Sequence, residues 1–398
     1  MRYRSSEMLP PPASVREVRR LPQRLPRRPR RGARIRRIAA MAAGLALIPA
    51  LVSYAGTMAG RSDSSFSIRS LEWVTSNGGR GLVNRIETIY YSLTAPSKGG
   101  PALKRLPNLP GSAVASGRAI HHRVPHYEPP RIKPLIHPAL PGEGVWRSTF
   151  AHHHGPPPVL VTSFRSNPAY PQLVAGVAWI DHTETTTWLY PGIQEPAVPM
   201  TDRGPEEVPM SMRRRLVATF NSAFKLQDSG GGFADGGHTY TPMKDGVATF
   251  VRYKDGRIDV IDWNHGPTAP SDVGYARQNL PLIVNHGKLN SNLSDGPEWG
   301  ATLGNAVQVW RSAVGVDKHG NLIYAAADYQ TVGSLARIMQ RAGAVRAMEL
   351  DINAYWPSFI TYKHRGAVGA RNLLPGMIRS PLRYLTPDDR DFFAVYLK

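Results

Sequence analysis

Toward the end of the chain, AMELDINAYWPSF (347–359) sets Glu349, Asp351 and Asn353 at every second position, with Met348, Leu350 and Ile352 between them. That alternation is the period of a strand, whose successive side chains point to opposite faces. One face is apolar and suits a core. The other carries two carboxylates and an amide, followed at once by Tyr355 and Trp356. Carboxylates are costly to bury without partners, so a row of them at a strand end suggests acid/base chemistry. Upstream, NLIYAAAD (321–328) ends on Asp328, and SLARIMQRA (334–342) separates the two apolar runs. Strand, short helix and strand predict a β-α-β unit with parallel strands and a right-handed crossover. Ligands of such units gather beyond the carboxyl ends of the strands. If the two strands are neighbours, ~4.8 Å apart, Asp328 and Asp351 share one edge at a separation useful for paired-carboxylate work. In the alternative, Asp328 begins a turn or caps the helix, and Glu349 pairs with Arg346 or Arg311.

The elements that must position these acids lie in the C-terminal part of the chain. Apolar or alternating runs recur from Gly144 onward, among them VLVTSF (159–164), LVAGVAWI (173–180), RLVATFNSAF (215–224), QVWRSAVGV (308–316) and DFFAVYL (391–397). Turn signals such as Lys254-Asp255-Gly256 and Lys318-His319-Gly320-Asn321 separate them. The one clear helix is Ser334 to Ala342, with Ser334 as N-cap and Gly343 as C′ residue. The expected fold is α+β, a strand-rich domain with a mixed sheet over residues 144–398 and a β-α-β unit near its end.

The formal charge of +20 invites a nucleic-acid reading, but residues 1–37 hold 13 Arg against Glu7 and Glu17, a surplus of 11 that leaves +9 for the rest. No basic stripe with interleaved aromatics follows, so no nucleic-acid partner is expected. The uncharged stretch Ile38 to Gly60 matches the ~20 apolar residues that span a bilayer. The arginine tail should remain cytoplasmic, which places the chain beyond Arg61 outside, in a single-pass protein of the cell membrane. A cleaved signal peptide is the rival reading, but the apolar stretch and the arginine segment are both long for one. Residues 61–95 read as two amphipathic pieces divided by Gly78-Gly79, with Leu82, Ile86, Ile89 and Tyr90 on one face. That face suits either the membrane interface or the protein itself. Residues 96–143 hold ten prolines before position 142 and predict an extended spacer. The chain has no cysteine, which excludes disulfides and thiolate chemistry. There is no Walker A, HExxH or GxSxG pattern. The triplet His152-His153-His154 has no acidic partner nearby and reads as a solvated loop rather than a metal site.

A set of motifs in fixed order then resembles the phosphodiester glycosidases. They are FNSAF (220–224), DGVATFV (245–251), RQNL (277–280), EWGATLG (298–304), WRSAVGVDKHGNLIY (310–324), the run 334–353 and RDFFAVYL (390–397). The likeness looks closest to a membrane-anchored actinobacterial branch. By this resemblance, Asn221 takes the place of the asparagine of an Asn-Gly-Gly-Phe motif, and Arg311 with Gly315 that of an Arg-x-x-x-Gly motif. Asp351 and Asp328 take the places of aspartates that relatives follow with glycine. Here Ser222-Ala223, Tyr329 and Ile352-Asn353-Ala354 replace those glycines, implying a reshaped pocket.

The resemblance implies a hydrolase acting on a glycosyl phosphodiester of envelope glycan or glycolipid. Asp351, Asp328 and Glu349 are its expected catalytic acids, and Arg311 its phosphate-binding cation. Asn221 and Asn353 would orient hydroxyls or phosphate, and Tyr355 or Trp356 would stack on a sugar ring. No ligand spacing demands a metal, although the acids are compatible with a divalent cation. The alternative is a non-catalytic envelope protein that binds glycan or phosphoglycan through a degenerate site.

Overall fold

A computed structural model describes residues 31–113, 126–150, 155–294, 296–300, 302 and 306–398. Most of the arginine tail and the triplet His152-His153-His154 lie outside the described residues. The chain divides into two compact units, Met1–Gly56 and Thr57–Lys398.

Helix α1 (Arg31–Ala59) is long and apolar enough over Arg34–Ala59 to cross a membrane, with Pro49 inside it. Helix α2 (Phe66–Val74) begins at Ser65, whose Oγ accepts the Ile68 N–H. The backbone kinks at Gly78 (φ 89°) before helix α3 (Arg80–Thr94). The predicted amphipathic face of α3 is open to solvent, since Leu82, Ile86, Ile89, Tyr90 and Leu93 are all exposed, while Val83 is buried.

The prolines of 96–143 do not leave the described residues apart from the domain. Gly99 N–H bonds to Ala169 O, the Trp146 indole donates to Pro130 O, and Ile132 is buried under the largest sheet. Proline lacks the N–H that would otherwise need a partner, so such a strand can lie on a surface without a ladder.

The main strands, in chain order, are β1 (Val159–Arg165), β2 (Val174–Ile180), β3 (Thr185–Tyr190) and β4 (Leu216–Asn221). They continue with β5 (Ala248–Tyr253), β6 (Val273–Gln278), β7 (Val309–Val316) and β8 (Leu322–Gln330). Helix α4 (Val332–Arg341) precedes β9 (Arg346–Ile352), β10 (Phe359–Thr361) and β11 (Phe392–Leu397). In the largest sheet the strands run β1-β2-β8-β7-β9, extended at both edges by two-residue strands. A second sheet centres on β5 and β6, and a third runs β10-β4-β11-β3 after a short edge strand.

Every pairing of β7 with its neighbours β8 and β9 is antiparallel. The unit β8-α4-β9 therefore does not form the expected adjacent parallel pair. Its two strands run the same way with β7 inserted between them, and the described pairings throughout are antiparallel rather than mixed. A spacing of two strands, about 10 Å, separates β8 from β9. Gly315 makes this arrangement possible, because a Cβ there would lie 2.3 Å from Arg346 O on β9.

Two cores flank the largest sheet. On one side Tyr324, Val314, Met348 and Leu350 meet Phe220, Phe359 and Phe393 of the third sheet, with Phe220 centred 5.0 Å from Phe393 and 5.5 Å from Tyr324. On the other, α4 buries Leu335, Ile338 and Met339 against Ala313, Ala325 and Ala347, whose small side chains let the helix approach. The N-cap of α4 is Thr331 rather than Ser334. Its Oγ1 accepts the Ser334 N–H (3.3 Å), and Ser334 Oγ donates back to Thr331 O (2.9 Å), so Ser334 sits one turn inside. Gly343 (φ 96°) ends the helix as expected.

Candidate active site

Asp351 stands near the exit of β9, where the ladder to β7 shifts register between Arg311 and Ala313. Its N–H bonds to Ser222 O, and its own carbonyl accepts from Ser312 Oγ (2.7 Å). The carboxylate forms an ion pair with Arg390 Nη2 at 2.7 Å and accepts a hydrogen bond from the Ile352 N–H at 3.1 Å. Burial pushes the Asp351 carboxyl up to about 6 although Arg390 pulls it down, and Asp391 adds to the rise. A carboxylate with a buried cation beside it and a titration near neutrality is equipped for acid/base or charge-stabilising work.

Arg390 comes from the turn before β11. It also reaches Ala223 O (3.3 Å), and its guanidinium carbon lies 4.7 Å from the centre of the Trp356 ring. Deeper in, Arg277 and Asp391 form a fully buried pair (2.8 Å), and Arg277 Nη2 donates to Phe224 O. Buried Glu195 accepts the Ala197 N–H, and burial raises its carboxyl despite nearby Arg390. The segment 221–225 is thus held from below by Arg277 and from the side by Arg390.

The expected site residues scatter more than the alternation predicts. Glu349 is buried on β9 and bonded to Arg311, and burial pushes its carboxyl up to about 7 against the pull of that arginine. Arg311 is 1% exposed, and its donors go to Glu349 and to the carbonyls of Trp299, Gly300, Val307 and Gln330. All five of its N–H groups are engaged, so none faces a phosphate. Arg311 fastens Trp299, Gly300 and Val307 to β8, and Glu349 balances its charge. Asn221 is likewise saturated: it donates to Ser222 O and Ser312 Oγ and accepts from Tyr324 OH and the Ser358 N–H, all at 3.0 Å. It ties β4 to β7 and β8 instead of facing a ligand.

Asp328 is exposed and accepts the Tyr329 N–H (2.7 Å). It lines a cavity of about 380 Å³ together with Arg105, Leu106, Val174, Trp310 and Leu374, a cavity that Asp351 does not reach. The inserted β7 is the reason the two aspartates do not share an edge. Trp356 shares Arg390 with Asp351, and Tyr355 packs edge-on against Trp356 (4.9 Å), but arginines already cover both rings. Arg379 sits 4.3 Å from the Tyr355 ring centre, and Arg383 sits 5.7 Å from that of Trp356. Asn353 follows β9 with φ 78° and donates its N–H to Trp310 O. Tyr329 after Asp328 has φ 53°. Both positions, where the resemblance expects glycine, keep the left-handed backbone that glycine favours.

The α2–α3 hairpin lies across this end of the sheet. Glu72 pairs with Lys225 (2.9 Å), the Ser65 N–H bonds to Tyr355 OH (3.1 Å), and Tyr91 OH donates to Asn353 Oδ1 (3.3 Å). Before α2, Asp63 pairs with Arg379, and Ser62 donates to Asp389. Among the described residues, no three acidic or histidine side chains gather as ligands of a metal would.

Arg390, Asp391, Arg277, Lys225 and Glu195 escaped the sequence reading. Arg277 opens RQNL, Arg390-Asp391 opens RDFFAVYL, and Lys225 follows FNSAF, so three motif edges carried the signal; nothing marked Glu195.

Comparison with known proteins gives one family. Residues 214–351 match the family model described as phosphodiester glycosidase, a segment that contains Asn221, Arg311 and Asp351 but ends before Trp356 and Arg390. No curated protein matches the chain. Among solved structures, the catalytic domain of zebrafish N-acetylglucosamine-1-phosphodiester alpha-N-acetylglucosaminidase, auto-inhibited by pro-peptide, aligns at 15% identity. That alignment covers 63% of this chain and 86% of the zebrafish one, with a TM-score of 0.40. A hypothetical protein from Synechocystis aligns at 13% identity over 60% of this chain and 62% of its own (TM-score 0.35). A protein from Burkholderia pseudomallei aligns at 12% identity over 58% of this chain and 75% of its own (TM-score 0.31). Residues 214–351, about a third of the chain, are thus similar in sequence to the phosphodiester glycosidase family.

Proposed function

We propose that the protein is a membrane-anchored, extracytoplasmic hydrolase that cleaves a glycosyl phosphodiester of cell-envelope glycan or glycolipid. The carrying observation is Asp351, a buried carboxylate held by Arg390 beside Trp356 at the end of the family-matched segment. The family match supports hydrolysis of a phosphodiester-linked sugar. In such a diester the phosphate is already a good leaving group and departs with the electron pair of the C1–O bond. The demand on the protein is to stabilise positive charge at the anomeric carbon or to take the proton of the attacking water. Asp351 as carboxylate does either, and Arg390 keeps it ionised near neutrality. The exposed apolar face of α3 and the length of α1 support a position at a membrane surface.

The test is release of free sugar from a panel of glycosyl 1-phosphodiesters by the full chain in detergent. Asp351→Asn should abolish release while the protein stays folded; retained turnover removes Asp351 from the mechanism. The side chain at Asn353, where a glycine would open the pocket, favours one alternative, a glycan-binding protein without turnover. Saturable binding of envelope polymer with no product under any metal condition would decide for it.

A further inference from the structure

We infer that Lys225 and Arg390 form an anion subsite beside Asp351 that takes a phosphodiester monoanion, and that the Glu72 carboxylate occupies it in this structure. Lys225 Nζ is 2.9 Å from Glu72 Oε1, and both side chains are only part-buried. Arg390 is 5% exposed, and its Nε is buried with no hydrogen-bond partner among the described residues. Its Nη2 engages Asp351, so an anion placed between Lys225 and Arg390 lies against the proposed catalytic carboxylate.

The four charges form one electrostatic group. Burial works against the Arg390 charge, and Asp351, Glu195, Asp391 and Glu72 together more than offset it, leaving the guanidinium above its usual range. Lys225 in turn lowers the Asp351 carboxyl. Two cations of this kind, one flexible and one rigid, are how proteins hold a phosphate monoanion. Trp356 backs Arg390, whose Nη2 also reaches Ala223 O two residues before Lys225, and its Nε is the donor left without a partner. Glu72 contacts Lys225, and its charge acts on Arg390, because α2 is pinned at its start by Ser65 on Tyr355 and by Asp63 on Arg379. A carboxylate delivered in this way is an internal competitor for the same site.

The nature of the anion rests on the phosphodiester reading above; the existence of the subsite does not. The experiment measures binding of dimethyl phosphate, the simplest phosphodiester monoanion, by calorimetry on the full chain in detergent. Glu72→Gln should bind about ten-fold more tightly than the parent, because the competing charge is gone. Lys225→Met in the Glu72→Gln background should lose at least that gain, and added salt should weaken binding. Equal affinity of parent and Glu72→Gln, binding insensitive to Lys225→Met, or no saturable binding by Glu72→Gln each overturns the inference. Both residues are part-exposed, and matching thermal unfolding curves will show that the variants fold. Dimethyl phosphate carries no sugar, so this outcome is independent of whether any glycosyl diester is turned over.

Discussion

Replacing Arg311 separates a structural cation from a substrate-binding one. Arg311→Met removes five N–H donors that now satisfy four carbonyls and Glu349, all around a side chain 1% exposed. Breaking a buried ion pair by deleting one partner costs ~3–5 kcal/mol. For a domain of this size each kcal/mol moves the midpoint by roughly 2–4 °C, so a fall of about 10 °C is expected. The loss should depend on pH. The Glu349 carboxyl is already pushed up to about 7, so below that pH it is neutral and needs Arg311 less. The deficit should therefore shrink in acid and grow above pH 7. Arg311→Lys, with three donors and no planar fork, should fall between. Thermal unfolding of the full chain in detergent, followed by circular dichroism at pH 5.5 and 8, reads all of this out. A variant that melts within about 2 °C of the parent but loses affinity for a glycosyl phosphodiester would refute the reasoning and return Arg311 to the phosphate.

Four further outcomes follow from the geometry. Asp351 titrates at about 6 in the fold against an ordinary 3.8, so turnover that uses its carboxylate should rise with pH through about 6. The same shift means that its contribution to stability is present at low pH and is lost as pH rises through 6, a trend that Asp351→Asn should flatten in unfolding curves. Gly315→Ala should destabilise by several kcal/mol (about 2–4) as measured by urea unfolding, because the clash is with backbone that cannot step aside. Leu82→Glu with Ile86→Glu should leave the fold unchanged and weaken the association of α3 with anionic vesicles.

The strand that carries Asp351 was legible because Met348 and Leu350 alternate with acids, and α4 was legible because Gly343 ends it. The order of strands was not. Insertion of β7 between β8 and β9 is set by the Gly315 close approach and by long-range pairing, neither of which leaves a local pattern in NLIYAAAD or AMELDIN. Hence Glu349 and Asp351, two residues apart, find different arginines, and Asp328 finds neither. The thirteen arginines of the tail drew attention by number, yet the one that holds Asp351 is Arg390, a single residue at a strand entrance. A charge is recognisable in sequence; the partner it meets across the fold is not.

The left-handed backbones at Asn353 and Tyr329 bear on how the ends of β9 and β8 could change over evolutionary time. At each place the chain holds a shape that a side chain tolerates at a cost of ~1–2 kcal/mol and glycine adopts freely. Exchange with glycine thus needs no movement of the main chain. A glycine-lined pocket and the present one are single substitutions apart at these positions, and the scaffold beneath them can serve either without being rebuilt. Glycine at Asn353 would accordingly open space beside Asp351 without disturbing the strand that carries it.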